Sequence, residues 1–393
     1  MRVIDRSERR ARLGLRHRLA PGRAGTTAAD AATAVLALHA TDPASVYLSA
    51  AARLDGATVA SIEHALYDER SVVRMLGMRR TVFVVPAPLV PVVQAACTRT
   101  VARRERTKLL TFVTQSGFTT RPERWLAGVE RATVEALAAR GEATAAALSS
   151  DVPELARRIV VGQGRWQGEV NASTRVLFLL AADGRIVRGR PRGSWLSTQY
   201  HWAPAESWLP GGIPDLATDT AQAELARQWL HAYGPAPADD LKWWAGWTVA
   251  ETKRALAAAG TVEVESADGT GHLLADDLEP VDAPDPWIAL LPALDPTGMG
   301  WTRRDWFLGP HRAALFDRAG NIGPTIWCDG RIVGGWAHRA DGVVATRLLE
   351  DVGTEAGTAV EAAAARLADW MGDVRPTPRF RTPLERELAG HHS

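Results

Sequence analysis

The stretch of sequence that decides the fold runs from residue 248 to residue 274 and reads TVAETKRALAAAGTVEVESADGTGHLL. Thr248 stands before a helical segment, and Glu251 follows three positions later, which is the spacing of a capping box at a helix N-terminus. The alternating residues that come next are typical of a strand, and Asp268-Gly269 marks a turn into a second strand. The stretch therefore predicts a helix followed by a β-hairpin.

The same order of elements is predicted three times along the chain. Each copy has helices with an apolar face, followed by apolar segments that turn at a glycine, at Gly77, Gly184 and Gly269. Helices followed by a hairpin are typical of winged helix-turn-helix modules. The helices predicted upstream of residue 248 are 27–39, 58–66, 125–139, 218–233 and 237–244.

The C-terminal part of the sequence differs from the rest in its pattern of prolines and short apolar runs. Beyond residue 282, prolines punctuate short apolar runs that Asp-Gly turns separate, which predicts a small antiparallel meander or barrel and a closing helix at 354–370. The fold class predicted for the chain is α+β, with three tandem winged helix-turn-helix modules followed by a small C-terminal antiparallel β-barrel with a closing helix. The predicted domains are 1–120, which carries the candidate catalytic motif, 121–210, 211–282 and 283–393.

Composition and missing motifs argue against several classes of protein. The chain has 393 residues, 46% hydrophobic and 23% charged, as expected for a globular protein of several domains. Cys97 and Cys328 are its only cysteines, which argues for a reducing compartment and against a thiolate metal site. The sequence lacks a phosphate-binding loop, a dinucleotide fingerprint and a zinc-hydrolase motif, so we expect no cofactor and no metal. Without a signal peptide, a membrane segment or a coiled-coil pattern, we expect a cytoplasmic monomer with no membrane partner.

Positive charge is concentrated in the N-terminal half of the chain. Residues 1–140 contain 22 Lys and Arg against 12 Asp and Glu, whereas residues 210–300 contain 4 against 15. This asymmetry indicates a polyanion partner for the N-terminal half. Nearly all of the positive charge is arginine, which suits bidentate contacts with phosphate and is equally explained by genome composition. The basic segment 6–19 is either a solvated helix face or a helix that faces phosphate.

The run Leu36-Ala37-Leu38-His39-Ala40-Thr41-Asp42-Pro43 brings an imidazole, a hydroxyl and a carboxylate close together. Because Pro43 disfavours α geometry at Asp42, the preceding helix is predicted to end here, with the polar side chains at its end. Two interpretations stay open. Either Asp42-Pro43 is only a turn and His39 a satisfied, partly buried histidine, or His39, Thr41 and Asp42 form a catalytic site.

Arginines in the predicted wings and loops are candidate DNA contacts, with a solvated surface position as the alternative. Arginines at every second position after Arg188 would share one side of a strand, which favours contact with a phosphate backbone. The candidate DNA-binding residues are Arg53, Arg79, Arg80, Arg165, Arg185, Arg188, Arg190, Arg192, Arg303 and Arg304.

Several stretches, taken in order, resemble the AlkZ-like (YcaQ-like) winged-helix DNA glycosylase family over essentially the whole chain. That family carries three tandem winged helices and a C-terminal β-barrel. The stretches are His39–Pro43 with Ser49–Leu54, Met78–Pro86, Gly234–Leu241, Leu290–Pro296 and Gly330–Trp336.

The resemblance implies a monofunctional DNA glycosylase that excises alkylated or bulky bases by water attack at C1′, with double-stranded DNA, alkylated or crosslinked, as its partner. The family's catalytic pair, Gln-x-Gln or Gln-x-Asp, is placed where this chain has His39 and Thr41, and Asp42 fits an acidic position that often follows. His39 would serve as a neutral base, Thr41 would hold the water, and Asp42 would orient His39 or lie near the sugar cation. The alternatives are a non-catalytic winged-helix DNA-binding regulator or lesion sensor, and an interaction protein that keeps only the scaffold.

Overall fold

The computed structural model describes residues 1–162, 164, 167–266 and 268–390, and in this part of the chain the fold is mixed α+β. The helices are α1 Arg6–Arg16, α2 Ala28–Ala34, α3 Pro43–Ala51, α4 Val59–Glu63, α5 Val90–Val93, α6 Arg99–Gln115, α7 Pro122–Arg140, α8 Ala145–Asp151, α9 Ala172–Ala182, α10 Ala205–Trp208, α11 Thr218–Tyr233, α12 Ala238–Ala245, α13 Val249–Ala258, α14 Pro296–Met299, α15 Asp305–Leu308, α16 Arg312–Leu315, α17 Gly353–Met371 and α18 Pro383–Leu388. The strands are β1 Val3–Ile4, β2 Leu38–His39, β3 Val72–Leu76, β4 Val82–Pro86, β5 Arg158–Val161, β6 Gly168–Asn171, β7 Ile186–Pro191, β8 Tyr200–Pro204, β9 Thr261–Ser266, β10 Gly269–Leu274, β11 Ile288–Leu291, β12 Thr325–Cys328, β13 Arg331–His338 and β14 Val344–Leu348.

The first sheet corrects one prediction. The hairpin of β3 and β4 is present as predicted, but a two-residue strand, β2, joins it in the order β2-β4-β3. The helix predicted over 27–39 begins with a capping box at Thr27 and ends at Ala34, because the backbone at Leu36 turns left-handed with φ 65°. His39 therefore lies on a strand, and Asp42 belongs to the start of the next helix.

The third helix–hairpin group matches the prediction closely. Thr248 accepts a hydrogen bond from the Glu251 amide and Glu251 accepts from the Thr248 amide, so the capping box is confirmed. Strands β9 and β10 form the hairpin, and β1 adds a parallel strand beside β9. The assignment of the three groups to winged helices and the four domain boundaries stay predictions.

Two large hydrophobic cores hold most of the described elements, beside two small clusters of three buried residues each. Residues between 109 and 202 form one core, built from α6 to α9 with β5, β7 and β8. A larger core joins the first sheet, α11 to α13 and the C-terminal sheet. The second group of helices is thus the one that packs around a core of its own.

The C-terminal strands form a four-stranded antiparallel meander, as predicted, and the predicted barrel is not confirmed. The order is β11-β12-β13-β14, all antiparallel, and within the described residues β11 and β14 do not pair with each other. The predicted closing helix is present as α17, which packs against both β11 and β14. Helix α17 therefore lies against both edge strands of this sheet.

Helix α1 turns its basic side chains inward. Arg9 is 4% and Arg12 1% exposed, and they pair with Asp268 and Asp277 of the acidic third group. Part of the positive charge of the N-terminal half is therefore neutralised by carboxylates of the third group, inside the molecule. Among the described residues, no helix combines the length and apolarity that crossing a bilayer requires.

Candidate nucleic-acid site

The His39 side chain lies on β2, almost covered by its neighbours. His39 is opposite Phe83 of β4, and the two rings meet edge-on with their centroids 5.3 Å apart. The exposed fraction of His39 is 8%, so the imidazole is screened but not sealed. Its Nδ1 accepts a long hydrogen bond, 3.5 Å, from the amide of Thr41. With Nδ1 as acceptor, Nε2 carries the proton of the neutral ring.

Burial lowers the pKa of His39 to about 3, and the positive charge of Arg79 acts in the same direction. The imidazole is therefore neutral at cellular pH, as the sequence-based interpretation required. A pKa this low also makes it a weak proton acceptor. A neutral imidazole offers one donor and one acceptor, as an amide side chain does.

Asp42 is a helix cap. Its Oδ1 accepts from the amide of Ala44 at 3.1 Å, and Oδ2 accepts from the amide of Arg379 in the C-terminal segment at 2.9 Å. Burial raises the pKa of Asp42, and these two amides act against that shift. Among the described residues Asp42 makes no hydrogen bond to His39. The three predicted catalytic residues thus share a turn, but Asp42 does not orient the imidazole.

Arg53, a predicted DNA contact, lies inside the protein. Its exposed fraction is 0%, and it forms two hydrogen bonds with Asp295 at 2.7 and 2.9 Å. Arg53 also donates to Thr297 Oγ1, which contacts Nδ1 of the buried His17 at 2.8 Å. Because no phosphate can reach this guanidinium, its role is structural and the predicted contact is incompatible with the structure.

Three other candidates are exposed but neutralised by carboxylates. Arg80 pairs with Glu105 at 3.0 Å, Arg190 pairs with Glu63 at 3.1 Å and with Asp68 at 3.2 Å, and Arg303 lies 3.7 Å from Asp239. A phosphate would have to compete with these partners. Arg165 lies outside the described residues.

The remaining candidates, Arg79, Arg185, Arg188, Arg192 and Arg304, have no carboxylate within 4.0 Å among the described residues. Arg79 and Arg304 both approach the ring of Trp243, with their guanidinium carbons 3.9 and 5.2 Å from its centroid. Arg304 is 5% exposed, and its pKa falls to about 10 through burial, with Arg312 and Arg79 adding to the shift. Arg79 is exposed and Arg304 is buried behind it, and exposed Arg79, with no carboxylate partner, leaves room for an anion from outside.

A second group of positive charge lies on the other side of the turn. Arg74 of β3 is 3% exposed and donates to the carbonyl of Ala40 at 3.3 Å. Burial lowers the pKa of Arg188 to about 10, and Arg74 is the next contributor. Sequence reasoning missed Arg74, although an arginine within an apolar strand could have drawn notice. Arginines therefore flank the His39–Thr41 turn on two sides.

Beside the second group is a cavity of about 520 Å³. Its lining residues include Arg188, Arg192, Tyr200, Trp202 and Phe178. A larger cavity, about 680 Å³, contains Arg185, but there Arg99 and Arg106 are paired with Asp215 and Asp183. Within the described part of the chain, no group of three His, Cys, Asp or Glu side chains could hold a metal ion.

A mixed α+β chain with carboxylate-free arginines around a polar turn has the features of a nucleic-acid-binding protein. The chain belongs to the AlkZ-like DNA glycosylase family, whose sequence model matches residues 32–370, so the predicted family is confirmed and the function is of the DNA glycosylase type. The fold is similar to that of Streptomyces sahachiroi DNA glycosylase AlkZ, with a TM-score of 0.72 and 21% identity over 94% of this chain and 97% of that one. No curated protein matches significantly.

Proposed function

We propose that this protein is a monofunctional DNA glycosylase that binds double-stranded DNA through winged helices and removes alkylated or bulky bases by water attack at C1′. We further propose that it acts as a cytoplasmic monomer. The observation that carries the proposal is the set of carboxylate-free arginines, Arg79 and Arg304 on one side and Arg74 and Arg188 on the other, that flank the His39–Thr41 turn.

The chemistry proposed for the turn is placement of water rather than strong proton abstraction. An alkylated purine that already carries a positive charge leaves without protonation, so the sugar becomes an oxocarbenium-like cation that needs a well-placed nucleophile. Neutral His39 can hold a water through one nitrogen, and the half-buried Thr41 offers a hydroxyl beside it. Asp42 contributes the field of its carboxylate while it caps α3.

The test is release of free base from alkylated duplex DNA, leaving an abasic site. We expect His39→Ala to lose most of the release rate. His39→Gln should retain much more of it, because an amide supplies the same donor and acceptor. Equal rates for His39→Ala and the wild type would reject the assignment of His39.

A matched control is Arg227→Gln, which removes one positive charge from an exposed ion pair with Asp276 in the third group. This variant should release base at the wild-type rate. Asp42→Asn is informative only with an unfolding measurement beside it, because both carboxylate oxygens accept backbone hydrogen bonds. A loss of release without a loss of stability would assign the Asp42 charge to the reaction.

A non-catalytic DNA-binding regulator or lesion sensor is the second candidate. The commitment of Asp42 to a helix cap and the low pKa of His39 favour it, because neither group is poised as a strong base. The same assay separates the two functions. Tight, salt-sensitive binding of alkylated DNA with no release of base would support the sensor.

A further inference from the structure

The cavity between β7, β8 and the start of α9 is rich in hydrogen-bond donors and positive charge. Arg188 and Arg192 both line it, and neither has a carboxylate within 4.0 Å among the described residues. Ser173 and Thr174, in the first turn of the eleven-residue helix α9, line it as well. This helix starts at Asn171 without a side-chain cap. The amide of Ala172 donates to the carbonyl of Arg157, and the amides of Ser173 and Thr174 follow it at the positive end of the helix dipole.

A third arginine reinforces the cavity from behind. Arg74 lies beside Arg188, and its guanidinium carbon is 4.8 Å from the ring centroid of Tyr200, which also lines the cavity. The Nε atom of Arg74 and the hydroxyl of Tyr200 are shielded from solvent and lack a hydrogen-bond partner among the described residues. Unsatisfied donors are costly in a protein interior, and of these two groups Tyr200 is the one that lines the cavity, where a ligand can accept from its hydroxyl.

The nearby carboxylates are engaged elsewhere. Asp42, which influences Tyr200, accepts from two backbone amides, and Glu63 pairs with Arg190. The cavity therefore holds donors that no acidic side chain of the described chain satisfies. An oxyanion with several acceptor oxygens would satisfy them together.

We propose that Arg188, Arg192 and the N-terminus of α9 form a socket for one phosphate group, with Arg74 and Tyr200 supporting it from behind. Where the phosphate belongs to DNA, this inference rests on the proposed function. The socket would then be the contact that holds the DNA strand in place. In the first sheet Val84 of β4 pairs with both Arg74 of β3 and Leu38 of β2, whereas His39 of β2 pairs with Phe83. The two side chains thus leave the sheet on opposite faces, and the Ala40 turn lies between socket and imidazole.

The first experiment locates the phosphate. Alkylated duplexes that carry a single neutral methylphosphonate at successive positions around the lesion are titrated against the protein at fixed salt. For the wild type we expect one position at which the substitution weakens binding by about tenfold or more, because hydrogen bonds to charged groups are stronger than those between neutral groups. In Arg188→Gln and Arg192→Gln, that position should lose its special sensitivity. Arg227→Gln should keep the wild-type pattern.

Stability separates a binding role from a structural one. Arg188 is half-buried without a counter-ion, so Arg188→Gln should leave the melting temperature unchanged or raised while binding falls. Arg192 is exposed and its variant should fold normally. A fall in melting temperature that parallels the loss of binding in both variants would overturn the proposal.

A second experiment distinguishes the source of the phosphate and stands apart from glycosylase activity. Inorganic phosphate, compared with chloride at equal ionic strength, should raise the melting temperature of the wild type and of Arg227→Gln but not of Arg188→Gln. This shift together with one sensitive backbone position assigns the socket to DNA. The shift with uniform sensitivity along the DNA assigns it to a free phosphate compound and leaves the glycosylase proposal untouched. If inorganic phosphate does not shift the melting temperature and no backbone position is especially sensitive, the socket proposal is overturned.

Discussion

Replacing Asp295 with Asn tests the inward role of Arg53. The guanidinium is fully buried, and Asp295 is its carboxylate partner, at 2.7 and 2.9 Å. The variant leaves a buried cation without its counter-ion, which costs about 3–5 kcal/mol. Because domains are stable by only about 5–15 kcal/mol, we expect a large shift in urea unfolding at pH 7. A decrease below about 1 kcal/mol would refute the reasoning.

The double variant Arg53→Met with Asp295→Leu is the matched control. Removing both charges together should cost much less than the sum of the single changes, because no buried charge is left alone. The same variant tests the original prediction that Arg53 contacts DNA. Its binding should show the wild-type dependence on salt, whereas loss of one phosphate contact would reduce the slope of log K against log salt by about 0.9.

Three further predictions concern stability. The pKa values of His17 and His39 are depressed from 6.5 to about 3, so as pH falls from 6.5 towards 3 the unfolded chain takes up protons that the folded chain does not. The free energy of unfolding should therefore fall by about 2 kcal/mol per histidine between pH 7 and pH 5. In urea titrations, His39→Gln should lose about 2 kcal/mol less over this pH range than the wild type, because it lacks the contribution of His39. Gly300→Ala should cost about 1–3 kcal/mol in thermal unfolding, because its Cβ would overlap the buried ring of Tyr233; an unchanged melting temperature would contradict this. Thr248→Ala should cost about 0.5–2 kcal/mol through loss of the capping box, and Thr248→Ser, which keeps the hydroxyl, should cost less.

Local chemistry explains why much of the fold was predictable. The helix 218–233, the capping box at Thr248 and the turn at Asp268-Gly269 depend on residues within a few positions of one another. The closing helix, predicted at 354–370, is observed at Gly353–Met371 for the same reason. The misplaced end of the helix before His39 shows the limit of that reasoning. Strand β2 has two residues, too few for any periodicity, and exists because β4 supplies hydrogen bonds from more than forty positions away.

The candidate site was predictable only as a list of residue types. Arg53 and Arg188 look alike in the sequence, yet one meets Asp295, 242 positions away, and the other meets no carboxylate among the described residues. Arg74 was missed because its apolar neighbours predict a strand and say nothing of the cavity behind it. Asp42 is predicted as a catalytic group, and its sequence neighbours do not indicate that its carboxylate also accepts from the amide of Arg379, 337 positions along the chain.

The sequence by itself determined most of the helices and hairpins and their order, since these follow from capping, periodicity and turn chemistry within short windows. Its resemblance to known proteins determined the family. Only the tertiary structure decided which arginines keep their charge available, and on which face of the first sheet His39 and Arg74 stand. The physical reason is that burial and ion pairing depend on partners brought together by folding. A pattern of neighbouring residues does not contain the distance to a carboxylate hundreds of positions away.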